Sequence, residues 1–180
     1  MLDGRQETDG EHTLRLQFIA VAYAQQYHPE LSSAQVGLYA LIHDFVEVYA
    51  GDVNSLQANE LQMATKAETE RAALRKLEDE IGASWPNLIR LIHEYESLDN
   101  AEARFVKCFD KCDPAFTHIK NQGEALKQLG VVDEAELTTL YDTVSKRMVT
   151  YAEEFSDVME IRDELHNRVK QALRVRYTKK

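Results

Sequence analysis

Between residues 38 and 53 the chain reads LYALIHDFVEVYAGDV, and four of those side chains are out of place in an apolar helix. His43 and Asp44 follow Leu38-Tyr39-Ala40-Leu41-Ile42 directly, in what reads as the driest part of the run. A carboxylate buried without a partner costs on the order of several kcal/mol, so Asp44 needs an arginine or a metal ion opposite it. Adjacent helical residues diverge by about 100°, so one object lying between the two directions can touch both side chains. A divalent cation suits that position, because it accepts imidazole nitrogen and carboxylate oxygen alike. Glu47 comes four residues after His43 and shares its helical face. Asp52 follows Gly51, where the helix ends and the backbone can fold back over the site. Either acid alone reads as a solvated surface carboxylate. Four such groups within residues 43–52, interleaved with Phe45, Val46 and Val48, read instead as a site.

A further ligand must come from elsewhere in the chain. The segment RFVKCFDKCDPAFTHIKN places Asp110 among Phe105, Val106, Phe109 and two cysteines on a core-facing stripe. Asp113, before Pro114, is the competing acid, expected nearer a helix irregularity and more exposed. Cys108, Cys112 and His118 offer zinc-type ligands but lack a fourth partner and a finger-like spacing. His12, after Glu11 at the entry to the first apolar helix, reads on its own as a structural residue more readily than as a ligand. Lys107 and Lys111 precede and follow Asp110 by three and one residues and are candidates for reaching a phosphate.

Helices must position these groups. Period 3.6 dominates from Thr13 onward and predicts helices over roughly 12–27, 34–50, 57–82, 85–97, 101–122, 133–154 and 156–177. Ser32, Ser33, Ser84 and Asp133 supply start signals, and Gly82 and Gly130 lie at stops. Seven glycines and three prolines in 180 residues are too few turn residues for a many-stranded β fold. The expectation is an all-α single domain. LRLQFIAVAYA and QVGLYALIHDFVEVYA are apolar around most of their circumference and are expected at its centre. The longer amphipathic helices are expected to wrap the outside.

The formal net charge of −10 repels a phosphate backbone, so long nucleic acid is not an expected partner. A small phosphorylated substrate remains open, because a bound cation inverts the local charge. No apolar run approaches the length of a membrane helix and no signal segment opens the chain, so no membrane partner is expected. Two cysteines one helical turn apart are expected to be reduced, in a cytoplasmic protein.

The order Glu11-His12, then His43-Asp44 within HDFVEVYAGD, then FVKCFDK ending at Asp110, resembles the HD-domain metal-dependent phosphohydrolases, an all-α superfamily. The acid after HD, the following GD and the segment EYESLDNAEARFVKCFDK resemble more narrowly the subgroup of bacterial 5′-deoxynucleotidases. The resemblance covers about residues 5–121 and leaves the helices over about 133–177 matched in general character only. It implies that His12, His43, Asp44 and Asp110 hold one divalent metal: manganese, cobalt, iron, zinc, nickel or magnesium. Glu47 and Asp52 correspond to acids implicated in positioning or activating the attacking water and protonating the leaving oxygen. Arg5 corresponds to a basic residue ahead of the first motif histidine. The pattern departs in one place: family members usually begin with an additional helix that contributes to the nucleotide pocket, and only eleven residues precede His12 here.

The activity this implies is release of inorganic phosphate from a deoxynucleoside 5′-monophosphate. Triphosphohydrolysis of deoxynucleoside triphosphates is the alternative, disfavoured because only Arg5, Lys107, Lys111 and Lys120 lie near the motifs. A non-catalytic helical module with a structural metal is the third reading, and two spare acids beside the ligands argue against it. The family commonly forms dimers, and the late amphipathic helices are the expected interface of a homodimer.

Overall fold

The first helix starts where its capping chemistry allows. In the computed structural model, which describes residues 7–51, 60–131 and 133–177, Thr8 accepts from the Glu11 N–H while the Glu11 carboxylate accepts from the Thr8 N–H. This reciprocal box satisfies two donors that a helix start leaves orphaned. Helix α1 therefore spans Asp9–Tyr27, beginning earlier than apolar periodicity indicates. The described residues hold nine more helices and no strand. These are α2 Ser33–Ile42, α3 Glu47–Ala50, α4 Glu60–Ile81, α5 Pro86–Ser97, α6 Ala101–Cys112, α7 Pro114–Lys120, α8 Glu124–Gln128, α9 Glu134–Ala152 and α10 Ser156–Tyr177. The all-α expectation is met.

Two of the expected helices are broken, and both breaks lie at candidate site residues. The run predicted over 34–50 stops at Ile42, and residues 43–46 form successive turns before α3. There the backbone bonds run i to i+3, from Phe45 N to Ile42 O and from Glu47 N to Asp44 O, each 2.9 Å. The run predicted over 101–122 splits at Asp113-Pro114, where proline has no N–H to continue the ladder and becomes the first residue of α7. Ser32 and Asp133 cap as expected, accepting from Gln35 N and Glu136 N. Ser84 does not: Trp85 holds the cap position of α5 without a side-chain bond.

The centre is α6, which packs on α1, α2, α5, α7, α9 and α10. Phe105, Val106, Cys108, Phe109 and Cys112 are all buried along it. The expectation that α1 and α2 lie innermost fails for a steric reason. These two helices pack on each other at Gly37, whose carbonyl accepts from Gln17 at 2.7 Å, and the residues they bury include the small Ala20, Ala24 and Ala40. Small residues at that seam leave Leu14, Phe18 and Leu41 facing outward, 68 %, 75 % and 53 % exposed. Both cysteines are free thiols, and burial pushes Cys112 up to about 12. In α10, buried Arg162 donates to the Tyr141 carbonyl and the Ser145 hydroxyl and so braces α9.

His28 ties the end of α1 to the start of α10. Its Nε2 and the Tyr23 hydroxyl both meet Asp157 Oδ2, at 2.9 and 2.8 Å. Burial disfavours the charged ring, but hydrogen bonds to Asp157 and Glu30 outweigh it and raise the His28 pKa. Burial likewise opposes ionised Asp157, and His28 and Tyr23 overcome it to lower that pKa. A raised histidine stabilises fully below its unfolded value of about 6.5 and ceases to as pH rises through the folded value. A lowered aspartate stabilises above its unfolded value of about 3.9 and is lost as pH falls through the folded one. His28→Gln is therefore expected to lower the urea midpoint most near pH 5 and least near pH 9. A difference independent of pH, or one that grows with pH, would show that the ion pair contributes nothing.

Candidate metal centre

Three helices converge on one point. His12 comes from the first turns of α1, His43 from the turn that ends α2, and Asp110 from the last turn of α6. Their ligand atoms lie within 4.8 Å of one another. His12 Nε2 is 3.0 Å from His43 Nε2 and 3.4 Å from Asp110 Oδ1, while His43 Nε2 is 3.9 Å from Asp110 Oδ1. Asp44 Oδ2 approaches the two imidazoles at 2.8 and 3.8 Å, although its side chain stays 32 % exposed. The expected burial of Asp44 is thus corrected: α2 has already ended, and Asp44 lies at the mouth of the site. No arginine faces it in any described contact.

The hydrogen bonds on the far side of each ring fix the tautomers. His43 Nδ1 lies 2.9 Å from the Ala40 carbonyl. A carbonyl only accepts, so Nδ1 carries the proton and Nε2 presents a lone pair. Ala40 is among the last carbonyls of α2, which have no N–H of a following turn to bond. His12 Nδ1 lies 2.6 Å from Asp113 Oδ2 and is likewise the donor. Two lone pairs 3.0 Å apart, with two carboxylates beside them, repel one another unless a cation sits between them. Ligands sharing one cation through bonds of about 2.1 Å stand roughly 3 to 4.2 Å apart, which the spacings among His12, His43 and Asp110 fit, while Asp44 stands slightly closer to His43. Electrostatics agree. Burial opposes a charge on His12, yet bonds to Asp110 and Asp113 push its pKa up to about 10, so the surrounding acids favour a positive charge there, a proton on Nε2 in the metal-free site that a metal ion would displace. The donor set fits a divalent metal, with mixed nitrogen and oxygen ligands that suit several first-row ions and magnesium.

Asp110 is oriented by a neighbour. Lys111 Nζ takes its other oxygen, Oδ2, at 2.6 Å. Burial would raise Asp110, but Lys111, His12, Lys107 and His43 together hold it well below the usual carboxylate range. Lys107 leans over the Tyr95 ring, 5.5 Å from its centroid. Burial disfavours its charge, and Asp110 and Glu96 outweigh that, so the ammonium is kept above its ordinary range.

Glu47 opens α3 and receives a bond from Lys66 Nζ of α4 at 3.0 Å. Because residues 43–46 wind i to i+3, the Glu47 N–H bonds the Asp44 carbonyl and not that of His43, as an α-helical turn would require. Both acids line a groove of about 390 Å³ with Asp9, Gly10, Thr13, Gln17 and the apolar Leu14, Leu41, Phe45 and Val48. Arg5 and Asp52 lie outside the described residues. Asp113, expected to be exposed, is only 2 % exposed, because Arg15 neutralises it within the interior. Arg15 escaped notice in the sequence, although its place one turn after His12 was a usable signal. His118 is buried too, and burial depresses its pKa to about 4.

A family model for the HD domain matches residues 1–156, and the chain belongs to the HD domain family. The fold also resembles the 1.37 Å crystal structure of a predicted metal-dependent phosphohydrolase from Magnetospirillum magnetotacticum MS-1. The two share 27 % identity over 92 % of this chain and 82 % of that one, with a TM-score of 0.63. No curated protein matches the chain. No helix among the described residues is long and apolar enough to cross a membrane.

Proposed function

We propose that this HD-domain metal-dependent phosphohydrolase releases inorganic phosphate from deoxynucleoside 5′-monophosphates. The observation that carries the reading is the groove that opens from the centre at Asp44. Its described lining holds three carboxylates, four large apolar side chains and no lysine or arginine. Such walls accept an uncharged organic group with an apolar face and repel phosphates beyond the one at the centre, which disfavours a triphosphate.

When bound, the divalent ion polarises a phosphoryl oxygen and lowers the pKa of a coordinated water. The chain supplies the rest. Glu47, held by Lys66 beside Asp44, orients the attacking water and accepts its proton. Lys107 sets a fixed positive charge behind the centre, against the charge that builds on the transferring phosphoryl group. Lys111 aims the Asp110 carboxylate. Asp52 and Arg5 keep the roles the resemblance implies, protonation of the leaving oxygen and contact with the substrate.

Metal-stripped protein reloaded with manganese or cobalt, and given a panel of deoxynucleoside mono- and triphosphates, tests this. The expected products are deoxynucleoside and inorganic phosphate from the monophosphates, separated chromatographically. Intact triphosphate released from the triphosphates would move the protein to the alternative activity. No turnover of either class would refute the proposed substrate.

A further inference from the structure

Asp113 is a buried carboxylate that touches the centre only through a ligand. Its Oδ2 accepts from His12 Nδ1 at 2.6 Å. Both of its oxygens are gripped by Arg15, with Nε donating to Oδ1 at 2.8 Å and Nη2 donating to Oδ2. Glu7 takes the outer edge of the same guanidinium, accepting from Nη1 and, at 2.8 Å, from Nη2. Thr117 Oγ1 of α7 donates to Glu7 Oε2 at 3.0 Å and closes the chain of contacts. Glu7, His12 and Asp113 bring ligand atoms within 4.8 Å of one another. The Arg15 guanidinium already bonds both carboxylates, and the His12 nitrogen on that side carries a proton, so this cluster is a brace and not a second metal site.

The brace does something that a plain ion pair between helices does not. A metal-binding imidazole must present one lone pair in one direction, and the hydrogen bond at its other nitrogen decides both tautomer and ring angle. Asp113 cannot swing away, because its backbone lies at the junction of α6 and α7 and the planar fork of Arg15 fixes both oxygens. Arg15 stands three residues after His12 on α1, so one helical turn carries the ligand and the residue that clamps the ligand's partner. We propose that Asp113, clamped by Arg15, is a positioning residue that fixes His12 as its Nδ1–H tautomer and aims Nε2 into the centre. The proposal rests on the reading of that centre as a metal site and is independent of the substrate.

The test is cobalt(II) binding to metal-stripped, full-length protein, with affinity read by chelator competition and ligand geometry by the visible absorption bands. Asp113→Asn keeps the volume and an acceptor oxygen but loses the charge. It is expected to weaken cobalt binding about 10- to 100-fold and to shift the bands. Arg15→Lys, which replaces the fork with a point charge, is expected to weaken binding less and in the same direction. Arg162→Met removes the brace between α9 and α10 and serves as the control. It is expected to lower the unfolding midpoint while cobalt affinity and bands stay put. Unchanged affinity and bands in folded Asp113→Asn would overturn the proposal; if that variant does not fold, the same result in Arg15→Lys does. Cobalt binding by the wild type without hydrolysis of monophosphates would refute the substrate and leave this inference standing.

Discussion

His43→Ala is expected to strip the centre of its metal and to bring hydrolysis down to background. The ring is 3 % exposed and its Nε2 is the nearest neighbour of both His12 Nε2 and Asp44 Oδ2, so no side chain in contact can take its place. Metal ions contribute several kcal/mol of charge stabilisation in phosphoryl transfer. At about 1.4 kcal/mol per factor of ten, that amounts to a loss of at least roughly three orders of magnitude in kcat/KM. Metal content and turnover should be measured on the same sample, with circular dichroism to show that the helices persist. A folded variant that kept stoichiometric metal and near-native rate would remove His43 from the ligand set.

Glu47→Gln separates chemistry from assembly. Glu47 lies beside Asp44 in the groove but is not among the three residues whose ligand atoms converge, so its amide should leave metal stoichiometry unchanged. If it orients and deprotonates the water, kcat should fall about 10²- to 10⁴-fold with KM nearly constant. Lys66→Met should cost less, because it removes the bond that steadies Glu47 but not the carboxylate itself. A Glu47→Gln enzyme with kcat within about threefold of wild type would assign the carboxylate to the groove wall alone.

The helices were legible in the sequence because their stabilising signal is periodic. α5, α9 and α10 each occupy nearly the expected span, and the buried face of α6 is the stripe of Phe105, Val106, Phe109 and Asp110 that the spacing indicates. The candidate metal site drew notice for the opposite reason: a histidine and an aspartate stood where an apolar helix should have none. The breaks were harder to see. Apart from His43 and Asp44 the apolar pattern carries on through residues 43–46, while the ladder changes there to i to i+3 bonds beside a His43 ring that bonds the Ala40 carbonyl, and neither change has a composition signal. The error over Asp113 has a related cause. Its burial depends on Arg15, 98 residues away in the chain, and local pattern carries no information on such a pairing. The mistaken centrality of α1 and α2 came from counting apolar residues without weighing size, since their alanine seam buries little of each circumference.

The winding at residues 43–46 also bears on how the centre comes apart. Asp110 rides on a helix in contact with six others, so its backbone amides are freed only when most of the molecule unfolds. His43 and Asp44 instead precede a four-residue helix joined by single i to i+3 bonds, one of them 3.4 Å long. The two halves of the candidate coordination sphere are therefore expected to open separately, one with the whole fold and the other locally. A bound metal should leave by the local route. Its residence time is expected to follow the excursion at the end of α2, and mutations that weaken the distant core should lower the melting temperature without hastening its loss.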